Sequence, residues 1–278
     1  MSGIVWLASY PKSGNTWLRI FLANYLSGQS SPVDINALDT SPLSDRRDLF
    51  DEALGVESSD LSAEEIDSLR AVAFQRLAAQ SPSTLFFKVH DAWTLNARGE
   101  PLLPAGALSS AIYVARNPLD LAISAAAHAG SSVEDAIRRM EREDGGAFSD
   151  PRHLGVQLRQ RYLSWSSHVV SWLDQKSIPV HPMRYEDMLE KPTETFRSAV
   201  TFLGLPDDEE RLALAIRFSS FEGLRRQEET KGFRERPAVA EAFFRKGQAG
   251  EWRTELSADQ VARIIQHHGA VMERLGYL

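Results

Sequence analysis

The chain has 278 residues, and its 43% hydrophobic content is enough for a sizeable core. Its formal net charge of −7 excludes a global positive field that would collect nucleic acid or an anionic membrane surface, so any anion must be bound by local basic groups. A chain without cysteine forms no disulfide and no thiolate metal site, which suits the cytoplasm. The sequence shows neither a secretory signal nor an apolar stretch of membrane-spanning length. We therefore expect a cytoplasmic protein whose partners include no nucleic acid and no membrane.

The predicted elements alternate between short apolar runs of strand length and longer segments with helical spacing. Strands are predicted over 4–8, 85–90, 111–116 and 178–184, and helices over 16–26, 63–79, 119–129, 133–143, 155–173, 193–203, 208–216 and 258–275. This alternation predicts one α/β domain over 1–278, with a central parallel sheet flanked by helices. Ligands of such sheets bind beyond the carboxyl ends of the strands, so the turns there are the places to search for chemistry.

Two stretches are predicted to lack regular structure. Residues 27–62 are polar and weakly periodic, which predicts a variable and mobile surface excursion. Residues 221–257 are charged and irregular, and within them 225–253 hold eight basic and five acidic residues. This local excess of positive charge predicts a basic loop that covers a bound anion.

The first strand leads into a short turn with the sequence YPKSGNTW, residues 10–17. A helix N-terminus offers unpaired N–H groups and a partial positive charge, to which Lys12 adds a full charge. Gly14 allows a close approach, and Ser13, Asn15 and Thr16 are expected to donate hydrogen bonds. The turn therefore predicts an anion site. It differs from the Walker A loop, in which the lysine follows the last glycine.

This turn resembles the loop that binds the 5′-phosphosulfate in sulfotransferases that use 3′-phosphoadenosine 5′-phosphosulfate (PAPS). Further segments resemble the same family in the same order, and they are YVARNPLDLAIS, MRYEDM, SSFEGL and FFRKGQAGEW. Together the matching segments extend from residue 7 to residue 253. The resemblance implies the P-loop NTPase-like sulfotransferase fold, PAPS as the sulfuryl donor and adenosine 3′,5′-bisphosphate (PAP) as the product.

The resemblance also implies a role for particular residues. It assigns the 3′-phosphate to Arg116, Ser124 and the loop over 245–247, and the adenine to Tyr185, Phe221 and Trp17. The complete predicted donor site is Lys12, Ser13, Gly14, Asn15, Thr16, Trp17, Arg116, Ser124, Tyr185, Ser220, Phe221, Phe244, Arg245, Lys246 and Gly247.

The second strand ends in the sequence FKVH, and alternation along the strand places Lys88 and His90 on the same side. An unperturbed histidine can accept a proton at neutral pH. The resemblance makes His90 the general base, and it gives Lys88 and Lys12 the task of neutralising charge. We expect in-line displacement without a metal ion.

The acceptor is less well defined. The motifs resemble the branch of the family that acts on hydroxyl or amine groups of small molecules. A secondary metabolite is an attractive acceptor, because the excursion over 27–62 could shape a pocket for a bulky compound. The oligomeric state is open, since the sequence GFRERPAVAEAF lacks the dimer segment expected before the last motif.

Two other functions are alternatives at this point. A P-loop-type kinase would need a lysine after the glycine and an acidic residue for magnesium at a strand end. A non-catalytic adenine-nucleotide-binding protein would use the same cradle without turnover, and His90, Lys88 and Lys12 speak against it.

Overall fold

The protein was analysed as a computed structural model that describes residues 3–38, 41–105, 109–150 and 154–278. The strands are β1 (Ile4–Ser9), β2 (Leu85–Val89), β3 (Ser109–Ala115), β4 (Gly146–Ala147), β5 (Gln160–Arg161) and β6 (Val180–Arg184). The helices are α1 (Asn15–Ser27), α2 (Arg47–Leu54), α3 (Ala63–Gln80), α4 (Pro118–Ala129), α5 (Val133–Glu141), α6 (Trp165–Asp174), α7 (Tyr185–Glu190), α8 (Pro192–Phe202), α9 (Glu209–Phe218), α10 (Phe221–Lys231), α11 (Trp252–Glu255) and α12 (Ala258–Arg274), with a 3₁₀ turn over Ser58–Asp60.

Four strands form a parallel sheet in the order β2-β1-β3-β6. Its central strand β1 is buried along its whole length, because helices cover both faces of the sheet. On one face Trp6 packs edge-on against Phe74, with their ring centroids 4.8 Å apart. On the other face Leu7 belongs to a core cluster with Phe21 and Phe196, whose rings stack at 4.1 Å. The predicted α/β class and the parallel sheet are confirmed.

The first prediction to be corrected concerns residues 27–62. They contain helix α2, and Ile35, Leu38 and Phe50 are buried. The polar composition hid these anchors because the apolar residues of this stretch are few and scattered among polar ones. Residues 39 and 40 of this stretch lie outside the described residues.

The predicted irregular loop over 221–257 is also wrong at its start, where α10 forms. The Ser220 side chain accepts a hydrogen bond from Gly223 N and caps this helix. Ion pairs one turn apart, such as Arg225 with Glu229 at 2.9 Å, support it on the solvent side. The segment over 232–251 lacks regular structure, and we call it the loop segment.

The predicted helix over 155–173 begins only at Trp165, where the Ser164 side chain caps it. Before it, Gln160 and Arg161 pair with Gly146 and Ala147 in a short antiparallel ribbon. The spacing of apolar residues suggested one continuous helix because Leu158 and Trp165 are both buried. The two residues pack in different core clusters, however, and therefore do not share one helix face.

A buried ion pair lies beside the end of β2. Asp91 and Arg70 are both fully buried, and the Oδ2 and Nη2 atoms that join them are 2.6 Å apart. Asp91 also accepts a hydrogen bond from Arg161 N at 2.8 Å, and its carbonyl oxygen accepts one from Trp172 Nε1 at 3.0 Å. These bonds fix the backbone that follows His90.

Across the described ranges, no helix combines the length and the apolar character that crossing a membrane requires.

The ion pair yields a stability prediction. Asp91→Ala should lower the free energy of unfolding by about 3 kcal/mol, because it leaves the Arg70 guanidinium buried without its closest counter-charge. Urea denaturation measures the loss. The matched control is Asp144→Ala, which removes the partner of Arg142 in an exposed pair and should have no measurable effect. Equal losses in both variants would contradict this account.

Candidate active site

The turn after β1 has an unusual backbone. Lys12 and Gly14 both adopt positive φ values, 71° and 102°, and the Gly14 carbonyl accepts the first hydrogen bonds of α1 from Trp17 N and Leu18 N. A Cβ atom on Gly14 would lie 2.6 Å from Cδ2 of Tyr185. Only glycine therefore fits between the turn and this ring. The N-terminal amides of α1 are thereby placed at the carboxyl end of the central strand.

The polar side chains of the turn do not all do what the sequence predicted. The Asn15 amide points inward and donates to Leu7 O at 2.6 Å and to Ser9 Oγ at 3.2 Å. Its side-chain nitrogen is thus committed to β1, and the prediction that this side chain donates to a ligand is wrong. Ser13 is buried too, but its hydroxyl has no hydrogen-bond partner among the described residues. It remains a donor without an acceptor.

A single cavity of about 1550 Å³ opens at this end of the sheet. It brings together nearly every residue that the sequence predicted for the site. Those that line it are Lys12, Gly14, Asn15, Thr16, Trp17, Lys88, His90, Arg116, Ser124, Tyr185, Ser220, Phe221, Phe244, Arg245, Lys246 and Gly247. Of the predicted set, Ser13 alone is absent from this lining.

Arg116 follows β3 and joins three parts of the site. Its Nη1 donates to Lys12 O at 3.1 Å, and its Nη2 lies 3.5 Å from Gln248 O in the loop segment. Its guanidinium also stacks over the Tyr185 ring at 4.3 Å from the centroid. The Nε atom is buried without a partner. Arg116 is therefore fixed in position, and its Nε–H group has no acceptor among the described residues.

The loop segment is tied to the rest of the site by acidic residues. Glu251 pairs with Arg245 at 2.7 Å and also with Lys246. Asp120, in the first turn of α4, accepts from Gly250 N at 2.7 Å and from Trp252 N at 3.0 Å. These bonds hold the basic end of the loop segment against the helix that follows Arg116.

Gly247 lies against an aromatic ring. Its φ is +61°, and a Cβ atom there would lie 2.1 Å from Cδ2 of Phe221. The Phe221 ring, together with Trp17 and Tyr185, gives the cavity an aromatic lining. Such surfaces stack on planar bases.

His90 has the geometry of a base. Its Nδ1 lies 2.8 Å from Ser9 O, and because a carbonyl oxygen only accepts, Nδ1 carries the proton of the neutral ring. This leaves Nε2 with a free lone pair. Burial, reinforced by the Lys88 charge, holds the pKa of His90 well below its usual range. The ring is therefore neutral at physiological pH and able to accept a proton.

Lys12 has no carboxylate at hydrogen-bond distance among the described residues. Its Nζ lies 3.1 Å from His128 Nδ1 and 4.3 Å from the centroid of the Phe243 ring. Burial, followed by the charges of Lys88, Arg116 and Arg245, lowers the pKa of Lys12 to about 7. Burial and the Lys12 charge lower the pKa of His128 to about 4, so this ring is neutral and can accept a hydrogen bond from the ammonium. The basic residues that line the cavity outnumber the acidic residues that line it.

Sequence reasoning missed several residues that complete the site. They are Arg19, Asp120, His128, Glu235, Phe243 and Glu251. Asp120 and Glu251 stand within quoted motifs, so their position beside the basic residues was a usable signal. Glu235 carries no such signal, because its partner Lys88 lies 147 positions away in the chain.

A turn with a partly buried lysine at a strand end, an arginine that contacts it and a neutral histidine in the same cavity suit an α/β enzyme that binds an anionic donor. The comparisons with known proteins agree: the sulfotransferase domain family matches residues 3–276. The chain belongs to the sulfotransferase family, and the predicted class of enzyme is confirmed.

Individual relatives are distant. Sulfotransferase 1A1 of Canis lupus familiaris is 28% identical over 59% of this chain, and the match spans 55% of that protein's length. Cytosolic sulfotransferase 17 of Arabidopsis thaliana is 26% identical over 93% of this chain and 71% of its own length. A crystal structure of retinol dehydratase in complex with androsterone and inactive cofactor PAP covers 97% of this chain and 80% of its own, with a TM-score of 0.64 and 20% identity. This likeness confirms the fold.

The close approach at Gly14 yields a prediction. Gly14→Ala should destabilise the protein more than Gly55→Ala, which is the matched control. Both glycines have positive φ, so each substitution costs about 1–2 kcal/mol of backbone strain. Nothing lies within 4 Å of a Cβ on Gly55, whereas the Tyr185 ring would have to move for Gly14. Thermal unfolding of the two variants measures the difference, and equal losses would contradict the tight contact.

Proposed function

We propose that this enzyme moves the sulfuryl group of PAPS to a hydroxyl or amine group of a small-molecule acceptor. One observation carries the proposal: His90, neutral and with Nε2 free, lines the same cavity as the turn over Lys12 and Gly14. Family membership supplies the class of reaction. The geometry supports the choice of residues.

The unpartnered donors of the site suit a doubly phosphorylated adenylate. The amides of α1 are assigned to the 5′ end of the donor, where the helix dipole favours negative charge, and the buried Ser13 hydroxyl lies in the same turn. Arg116, with its unpartnered Nε, and Ser124 are assigned to the 3′-phosphate. The loop segment would cover that phosphate with its basic end, through Arg245 and Lys246.

The aromatic residues of the cavity are assigned to the adenine ring of the donor. Trp17, Tyr185 and Phe221 are assigned to the adenine because all three line the cavity close to the assigned phosphate groups. Ser220 and Phe244 border the same region, and Phe244 is buried behind it.

Each step of the transfer has a residue to perform it. His90 Nε2 takes the proton of the acceptor as the acceptor oxygen or nitrogen bonds to sulfur. The bond from sulfur to the bridging phosphate oxygen breaks, and PAP leaves. Lys12 and the amides of the turn stabilise the charge that grows on the leaving phosphate, while Lys88 neutralises the sulfuryl oxygens. The proposal includes no metal ion.

The acceptor end of the cavity favours a bulky compound with an apolar body. Two distant segments build its wall together: Arg47 N donates to Val156 O at 3.0 Å, and Leu158 N donates to Asp45 O at 2.7 Å. Leu43, Leu154 and Val156 line the cavity there. A structural relative holds androsterone, which is such a compound. A secondary metabolite remains our candidate acceptor, and a cytoplasmic location is part of the proposal.

Family membership disfavours the kinase alternative. Only a measurement of turnover separates the enzyme from a silent nucleotide-binding protein. The direct test incubates the protein with labelled PAPS and a panel of phenols, alcohols and amines, and mass spectrometry then detects acceptors that gain one sulfo group. No product from any acceptor, together with no binding of PAP, would overturn the proposal.

The base assignment yields a prediction. His90→Ala should lower kcat by about 10²–10⁴-fold, the usual contribution of a general base, while the affinity for PAP changes little. Steady-state rates and calorimetry measure the two effects. His267→Ala is the matched control, because this histidine is exposed on α12 and does not line the cavity. Transfer at the wild-type rate in His90→Ala would show that the base is another group.

The low pKa of Lys12 yields a second prediction. PAP should raise this pKa, so binding at pH 7 should take up about half a proton through Lys12, and less at pH 6 where the ammonium is already charged. Calorimetry in buffers of different ionisation enthalpy measures the uptake. Lys12→Met supplies the reference, because it removes this proton and retains the other titrating groups. Equal uptake in both proteins would contradict the assignment, as would PAP affinity that survives loss of both Lys12 and Arg116.

A further inference from the structure

Glu235, in the loop segment, bridges two cations at the catalytic wall of the cavity. Its Oε2 accepts from Lys88 Nζ at 2.9 Å, and its Oε1 accepts from Arg19 Nη1 at 2.6 Å. Arg19 is fixed in turn, because its Nε donates to the Ser41 carbonyl at 3.0 Å and lies 3.2 Å from the Ser41 hydroxyl. The carboxylate is thus held from one side by a rigid group and holds the lysine on the other.

Lys88, Glu235 and Arg19 lie at different depths from the cavity. Lys88 and Glu235 line the cavity, whereas Arg19 does not and its side chain is only 2% exposed. A substrate in the cavity could therefore meet the ammonium and the carboxylate but not the guanidinium. Arg19 touches the cavity wall through Glu235.

Several neighbouring charges act on the Lys88 ammonium, and the Glu235 carboxylate is one of the few that stabilise it. Burial lowers the pKa of Lys88, and Arg19 lowers it further, while Glu235 and the more distant Asp45 raise it. Lys12 and His90 face the same ammonium, and its charge lowers the pKa of each. Glu235 is therefore the closest group that favours the charged form of Lys88.

Glu235 itself stays ionised. Burial would raise its pKa, but Lys88 and Arg19 outweigh burial and bring the pKa down to about 2. Its negative charge is thus constant over the whole physiological range. The cluster of two cations and one carboxylate keeps a net positive charge at the cavity wall.

We propose that Glu235 is a positioning residue for sulfuryl transfer: anchored by Arg19, it keeps the Lys88 ammonium charged and fixed at the cavity wall. The inference rests on the proposed function, in which Lys88 neutralises the sulfuryl oxygens. It adds a residue of the loop segment to the machinery of transfer, and it gives the buried Arg19 a task that operates through that residue.

The test uses Glu235→Gln, which keeps the shape and removes the charge. In this variant the Lys88 pKa should fall by about one unit or more, because the nearest stabilising charge is gone. NMR of protein labelled in its lysine side chains follows that titration directly, without an acceptor. The affinity for PAP should stay within about twofold, because PAP carries no sulfuryl group.

Kinetics give the second readout. The kcat of Glu235→Gln should fall about tenfold or more at alkaline pH, and the loss should shrink as the pH is lowered, because Lys88 loses its proton at a lower pH in this variant than in the wild-type protein. Glu235→Asp, which retains the charge, should keep the pH profile close to wild type. Adding Lys88→Arg to Glu235→Gln should remove the alkaline loss, because a guanidinium does not titrate in this range.

Glu241→Gln is the matched control, since it makes the same change at an exposed position of the same segment. It should leave the titration and the pH profile unchanged. An unchanged Lys88 titration in Glu235→Gln, or an unchanged kcat profile, overturns the role of Glu235. Absence of transfer by the wild-type protein instead contradicts the proposed function, and the two failures are therefore distinguishable.

Discussion

The hydrogen bond from Arg116 to the carbonyl of Lys12 joins the two halves of the site. It exists because β1 and β3 are neighbours in register, with Ser9 paired to Val114, so that both strands end at the same level. The turn after one strand can then meet the arginine after the other. If the register slipped by one residue, the side chains of the slipped strand would point to opposite faces and this contact would be lost.

Without a ligand, the site balances its positive charge with groups of its own. Lys88 pairs with Glu235, and Arg245 and Lys246 pair with Glu251. Lys12 and Arg116 have no carboxylate partner among the described residues: Lys12 lies against His128 and the face of Phe243, and its pKa falls to about 7. Arg116 donates to carbonyl oxygens and stacks on the Tyr185 ring. The least neutralised positive charge is therefore located beside the turn over 10–17, which we propose holds the 5′ end of the donor. A chain of net charge −7 can bind a polyanion in this way, because the attraction is concentrated in one desolvated cavity.

The sequence predicted the parallel sheet and most of the cavity lining for a physical reason. Strand-end turns such as the one over 10–17 determine their own geometry locally, through Gly14 and the start of α1. The donor groups at these turns therefore converge once the sheet forms. Helix α10 was missed because it has few apolar residues: Leu224 and Phe221 pack in a core cluster, and most of its other residues are charged or polar. Glu235 was missed because its role comes entirely from tertiary contacts.

The Asn15 side chain binds the central strand although its position in the turn predicted a contact with the ligand. The sequence predicted a ligand donor there, but the side-chain amide bonds to Leu7 O and Ser9 Oγ. Ser9 also lies beside the proposed base, since its carbonyl accepts from His90 Nδ1. The amide therefore steadies the end of β1 at the residue that selects the His90 tautomer. Asn15 contacts the Ser9 hydroxyl and His90 contacts the Ser9 carbonyl, so that one residue fixes the position of the turn relative to the His90 ring.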